Sequence, residues 1–223
     1  SQSPKTMKQH IARKRFGQNF LTDSHIIDRI IHGIQPQADD RLVEIGPGLG
    51  AITCPLLELV GELDVIELDR DIIPKLRLNC GLKGQLNIHN VDVLKFDFNS
   101  LCKEQQKLRI VGNLPYNIST PIIFHLVQYA EHIKDMHFML QKEVVERLAA
   151  QPGTSNYSRL SVMAQYHFKV SPLFLVPPEA FEPRPKVDSA IVRLVPYTEK
   201  PVQVVDETAF AKLVSQAFSQ RRK

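Results

Sequence analysis

The stretch that most restricts the fold is "RLVEIGPGLGAITC" at 41–54. A short apolar run stops at Gly46, glycines recur at Gly48 and Gly50, and an apolar run at helical spacing follows. Glycine permits a sharp backbone turn and lets a ligand approach the main chain closely. The N-terminus of the ensuing helix adds N–H groups that have no partner within the helix. Gly46, Gly48 and Ala51 also satisfy the G-x-G-x-x-G/A dinucleotide fingerprint. Twenty-one residues after Gly46, Glu67 ends the next apolar run, where a carboxylate can accept both hydroxyls of a ribose. Together these features predict an adenosine-bearing ligand on a doubly wound sheet. The loop alone does not separate NAD from S-adenosylmethionine.

The surrounding sequence supports that fold. "HIIDRIIHGI" has helical spacing, "RLVEIG" reads as a strand, "AITCPLLELVG" as a helix and "ELDVIELD" as a strand. "DIIPKLRLNCG" is helical, with Pro74 in the first turn where proline is tolerated. "LNIHNVD" and "LRIVGN" are strands, and "STPIIFHLVQYAEH" is a helix expected to be capped by Ser119 or Thr120 with Pro121 at its first position. "DMHFML" is a strand and "QKEVVERLAAQPG" a helix. This alternation predicts an α/β, Rossmann-like domain: a doubly wound, mostly parallel sheet with helices on both faces. Beyond 153 the pattern changes. "RLSVMAQYHFKV" can be read as helix followed by strand, though its pattern is ambiguous, the proline-rich "PPEAFEPRPKVDS" reads as loop, "AIVRLVP" as strand, and "DETAFAKLVSQAFSQRRK" as an amphipathic helix. The expected division is a basic N-terminal arm at 1–22, a catalytic domain at 23–200 and the start of a C-terminal helical domain at 201–223.

Charge is unevenly distributed. The first 22 residues carry Lys5, Lys8, Arg13, Lys14 and Arg15 and no acid, so the arm's charge exceeds the whole chain's net +4 and leaves the rest near neutral. Arg221, Arg222 and Lys223 form a second small cluster. Arg13, Lys14, Arg15, Arg221 and Arg222 are therefore candidate phosphate contacts, with a solubilising tail as the other reading of the arm. With 43% apolar residues the chain can bury a sizeable core, yet no run approaches the roughly 18 apolar residues of a membrane helix. The polar, basic beginning has no signal-peptide core, which points to the cytoplasm. Cys54, Cys80 and Cys102 are odd in number and widely spaced, so neither a disulfide framework nor a metal site is expected.

Three features favour S-adenosylmethionine over NAD. Glu44 sits two residues before the glycines, where an acid favours a cationic ligand such as a sulfonium or ammonium. Val91-Asp92 ends a third strand, placing an acid within reach of an adenine amino group. No hydride-transfer constellation follows the fourth strand; "NLPY" at 113–116 does. An exocyclic adenine amine is a poor nucleophile because its lone pair is delocalised into the ring. Two acceptors on that amine favour a more tetrahedral nitrogen and stabilise charge developing during in-line attack. Asn113 offers a side-chain oxygen, Pro115 fixes the turn so that the carbonyl of Leu114 or Pro115 can face inward, and Tyr116 can stack on an unstacked base. Positioning and electrostatics then carry the step without a tuned base.

"EIGPGLG" at 44–50, Glu67 in "VIELD", Asp92 and "NLPYNIST" at 113–120, with "ARKRFGQNFL", "HFMLQKEVVERL" and "PKVDSAIVRL", resemble the bacterial small-subunit rRNA adenine N6-dimethyltransferases. The resemblance implies a class I S-adenosylmethionine-dependent methyltransferase that dimethylates two adjacent adenosines near the 3′ end of small-subunit rRNA. It implies that Gln18, Asn19 and Leu21 close over the cofactor and that Gly46 and Gly48 contact its amino-acid end. It assigns the ribose to Glu67, with Leu68 beside it, and the adenine amine to Asp92, with Val93 against the ring. Asn113, Leu114 and Pro115 would hold the target amine, with Tyr116 and Phe181 on either side of the base. It also implies a small C-terminal helical domain, mostly absent after Lys223, action as a monomer without metal, and the small-subunit precursor as partner. The alternatives on the same fold are a large-subunit rRNA or DNA adenine N6-methyltransferase, or a non-catalytic ribosome-assembly or transcription factor.

Overall fold

The computed structural model describes residues 18–198 and 212–218. Arg13, Lys14, Arg15, Arg221 and Arg222, and most of the segments 1–22 and 201–223, lie outside the described residues; 212–218 are helical. In chain order the elements are β1 (Phe20–Leu21), α1 (Ser24–Ile34), β2 (Arg41–Ile45), α2 (Thr53–Val60), β3 (Glu62–Ile66), α3 (Ile73–Cys80), β4 (Gln85–His89) and β5 (Leu108–Asn113). They continue with α4 (Ser119–Val127), β6 (Ile133–Gln141), α5 (Lys142–Ala149), α6 (Arg159–His167), β7 (Phe168–Val176), β8 (Phe181–Glu182) and β9 (Ser189–Pro196).

Seven strands form one sheet in the order β4-β3-β2-β5-β6-β9-β7. The first five are parallel, and β9 pairs antiparallel with both β6 and β7. From β2 the chain winds outward through β3 and β4, then returns to β5 on the other side of β2. That reversal splays the connections after β2 and β5 apart and opens a crevice at their carboxyl ends. Period-two alternation along the strands feeds two cores. Ile110 and Phe138 face α4, α5 and α6, whereas Val111 and Met139 face α1, α2 and α3. Helix α1 illustrates the logic: the Asp23 carboxylate accepts from the N–H groups of His25 and Ile26, and Ile26, Ile30 and Ile34 are buried at four-residue spacing.

Beneath the sheet, Arg109 of β5 donates to Asp135 of β6 at 2.9 and 3.1 Å, to Asp40 at 2.6 Å and to the carbonyls of Ile34 and Gln35. It thereby ties the end of α1 to the edge of the sheet opposite the crevice.

Three local expectations need correction. Helix α4 begins at Ser119 with Ile118 as its uncapped N-terminal neighbour. The Ser119 hydroxyl donates instead to the Tyr116 carbonyl at 3.2 Å, which shifts the start and makes Pro121 the third helical residue. The proline-rich segment contains β8, which pairs antiparallel with β1 so that Leu21 lies opposite Phe181. Finally, Cys54 of α2 and Cys80 of α3 form a disulfide, with Cα atoms 4.9 Å apart, while Cys102 is free. The two helices pack on the same sheet face, bringing together cysteines 26 residues apart in sequence.

Candidate active site

Most of the candidate site residues sit at or just past the carboxyl ends of the parallel strands, whereas Gln18, Asn19, Leu21 and Phe181 come from the N-terminal segment and the antiparallel β1/β8 pair. The turn after β2 begins at Gly46, whose N–H donates to the Ile66 carbonyl at 2.9 Å and whose φ is +67°. A Cβ at Gly46 would lie 3.2 Å from the Asn113 carbonyl, and one at Gly48, with φ +58°, would lie 3.2 Å from the Phe20 ring. The loop is therefore closed to side chains both sterically and conformationally. Next to it, after β3, Glu67 is buried, and its N–H donates to the His89 carbonyl at 3.0 Å. One carboxylate oxygen accepts from the Asp69 N–H at 3.0 Å, and the other is buried without a protein partner. Burial pushes the Glu67 pKa up, with the Asp69 charge adding to the shift and the N–H groups of Asp69, Gly48 and Leu68 opposing it. After β4, Asp92 uses one oxygen to accept from the Leu94 N–H at 3.0 Å while its residue lines the crevice between Val91 and Val93.

After β5 comes the "NLPY" turn. The Asn113 amide donates to the Asn19 carbonyl at 3.4 Å, a long contact that turns its side-chain oxygen away from the N-terminal segment. The Leu114 N–H donates to the Met139 carbonyl at 3.1 Å, and the Pro115 carbonyl accepts from the Ile118 N–H at 3.1 Å. Of the two carbonyls considered from sequence, Pro115's is thus engaged in the turn, and Leu114's is the second acceptor available to a ligand. Tyr116 is 66% exposed at the mouth, while Phe181 is only 6% exposed, packed in the core with Leu21 and Met139 yet lining the same cavity.

The cavity holds about 450 Å³ and collects Gln18, Asn19, Gly46, Gly48, Glu67, Leu68, Asp92, Val93, Asn113, Leu114, Pro115, Tyr116 and Phe181. Leu21 borders a smaller adjoining hollow under the glycine turn, together with Glu44. Every sequence-identified site residue among the described ones therefore converges on one place. Sequence reasoning missed Phe20, Gln141, Val187 and Ser189, which also line the crevice. Gln141 carried no clear signal: the sequence reads it as the start of a helix, whereas it ends β6, and that β6 lies beside β5 is set by the tertiary fold.

Glu44 occupies a position that sequence did not foresee. It is buried beneath the turn and accepts a 2.5 Å hydrogen bond from the Thr53 hydroxyl. Burial raises its pKa to about 8, with the nearby Glu67 charge adding to the shift and Thr53 opposing it.

A ribose needs a carboxylate with a free oxygen, and Glu67 supplies one in a buried setting. A cofactor backbone lying against the main chain needs a turn without side chains, which Gly46 and Gly48 provide. The residues present therefore fit an adenosyl cofactor. Fold and site define a class I methyltransferase that uses S-adenosylmethionine.

Comparison with known proteins narrows the class. Residues 9–223 match the family model described as ribosomal RNA adenine dimethylase. A "Ribosomal RNA small subunit methyltransferase A" from Pseudomonas savastanoi pv. phaseolicola is 60% identical over 215 residues, covering 96% of this chain and 80% of the relative. Among solved structures, a dimethyladenosine transferase from Plasmodium falciparum is 32% identical, with a TM-score of 0.74 over 90% of this chain and 70% of that one. The 23S rRNA methyltransferase ErmE is 27% identical, with a TM-score of 0.75 over 90% of this chain and 79% of that one. The chain belongs to the ribosomal RNA adenine dimethylase family, and it is an rRNA adenine methyltransferase.

Proposed function

We propose that this protein dimethylates the N6 atoms of two adjacent adenosines near the 3′ end of small-subunit rRNA, within the small-subunit precursor in the cytoplasm. The observation that supports this most is the placement of Asn113–Tyr116 at the edge of a cavity whose other wall holds Glu67 and Asp92. Glu67 holds the ribose, Asp92 the adenine amine and the glycine turn the amino-acid end of S-adenosylmethionine, which supplies an electrophilic methyl when bound. Gln18, Asn19 and Leu21 cover it.

Asn113 and the Leu114 carbonyl hold the target amine as acceptors, drawing its two hydrogens out of the ring plane and freeing the lone pair for attack. Tyr116 and Phe181 flank the base; Phe181 is fixed by the core, whereas exposed Tyr116 closes from the solvent side. With the donor bound, the amine held by Asn113 and Leu114 would take its methyl, leaving the electron pair on sulfur and releasing the amine proton to water. The apolar rim of Leu68, Val91, Tyr116 and Val187 is exposed in the free protein and suits an unstacked base. Arg13, Lys14, Arg15, Arg221 and Arg222 contribute phosphate contacts, and the protein acts as a monomer. The test is methyl transfer from labelled S-adenosylmethionine to unmethylated small subunits, large subunits and duplex DNA in parallel. Label in small subunits alone is expected; preferential labelling of either other acceptor would overturn the reading.

A further inference from the structure

The cavity contains a polar wall that the roles above do not use. Gln141 and Ser189 are opposite one another across β6 and β9, and both line the cavity. Gln141 is also the N-cap residue of α5, a position where a short polar side chain would ordinarily bond the first free N–H groups. Its side chain makes no such bond. Among the described residues, neither its amide nor the Ser189 hydroxyl has a hydrogen-bond partner in the protein. The amide is thus spared from capping, on a residue that lines the ligand space.

Its address relative to the amine acceptors is set by register. Asn113 of β5 lies beside Met139 of β6, so Gln141, two residues on, projects from the same sheet face one step closer to the mouth. From strand spacing and rise, about 8 Å separates the two backbones, a gap that two converging amides and one purine edge can span. An adenine held by its N6 presents a bare acceptor nitrogen on each side of that amine, N1 and N7. A primary amide offers N–H donors to such a nitrogen.

We propose that the Gln141 side chain donates a hydrogen bond to the ring nitrogen flanking the target amine and so fixes the rotation of the base in its plane. This inference rests on the adenine N6-methyltransfer reading above. Stacking between Tyr116 and Phe181 sets the height of the base but leaves it free to turn, and the acceptors at N6 give a single pivot. A second anchor on the ring stops that rotation and keeps the amine aimed through both methyl additions.

The test is a double-mutant cycle between protein and base. Small subunits are reconstituted with rRNA whose target adenosine is natural, 1-deaza or 7-deaza, and kcat/KM is measured for wild type and for Gln141→Ala. Gln141→Ala is expected to reduce transfer to natural adenosine about tenfold, the scale of one lost polar contact. On whichever deaza base lacks the bonded nitrogen, the substitution should then cost almost nothing further. If the penalties of substitution and base simply multiply for both analogues, Gln141 does not touch the ring and the proposal fails. If the wild type does not methylate even the natural adenosine, the underlying reading fails instead. Cofactor affinity, measured by calorimetry, should be unchanged in Gln141→Ala and confirms that the variant is folded.

Discussion

At the scale of single residues, two carboxylates and one aromatic divide the labour. Glu67 leaves a buried oxygen for the ligand, so Glu67→Ala should weaken S-adenosylmethionine binding by about 1–3 kcal/mol, the value of a hydrogen bond to a charged group. Tyr116→Ala, at an exposed position, should leave that affinity intact and lower only methyl transfer; calorimetry beside a turnover assay separates the two. Glu44 makes a prediction about pH. Its folded pKa of about 8 lies above the ordinary 4.5, so the folded, ligand-free protein holds a proton that the unfolded chain has lost. Stability should therefore fall as pH rises between about 5 and 8. Cofactor affinity should rise over the same interval, because a cation beside Glu44 favours its ionised form. Glu44→Gln should flatten both slopes, and thermal melts and titrations at several pH values would show a retained slope if the assignment were wrong. Most of this site was legible from the chain itself, since glycine turns, an acid at a strand end and "NLPY" each follow an apolar run. Burial of Glu44 was not legible, because its partner Thr53 lies on the next helix and its environment is set by packing.

At the scale of elements, strands and helices followed from period-two and period-3.6 spacing, whereas pairings between distant segments did not. The two-residue β1 and β8 are too short to show periodicity, yet their pairing seats Leu21 and Phe181 together at the cavity. The start of α4 moved because the Ser119 hydroxyl bonds backward to the Tyr116 carbonyl of the "NLPY" turn rather than capping the helix. The disulfide was hidden for a similar reason: widely spaced cysteines carry no pairing signal, and only the packing of α2 beside α3 brings Cys54 to Cys80. Peptide mapping under non-reducing conditions should recover those two cysteines linked and Cys102 free. In the chain-entropy account a loop of this size contributes about 3.5 kcal/mol, so reduction should lower the melting temperature measurably. Recovery of three free thiols from the untreated protein would contradict the assignment.

At the scale of the whole molecule, the sheet order brings the chemistry together. Because β2 and β5 are neighbours whose connections leave in opposite directions, the glycine turn with Glu67 and the "NLPY" turn share one crevice. The ion-paired network around Arg109 braces the opposite edge, so the mouth is left to the loops that receive substrate. No helix of the described residues is long and apolar enough to cross a membrane. Fold class was readable from the alternation of elements, but the antiparallel return of β9 between β6 and β7 was not, since strand order is a tertiary property. The most direct measurement is the identity and position of the product after reaction of this protein with unmethylated small subunits. Nucleoside mass spectrometry and primer extension should find N6,N6-dimethyladenosine at two adjacent positions near the 3′ end of the small-subunit rRNA. Methylation on another atom, at non-adjacent adenosines or outside that region would contradict the role assigned to Asn113–Tyr116.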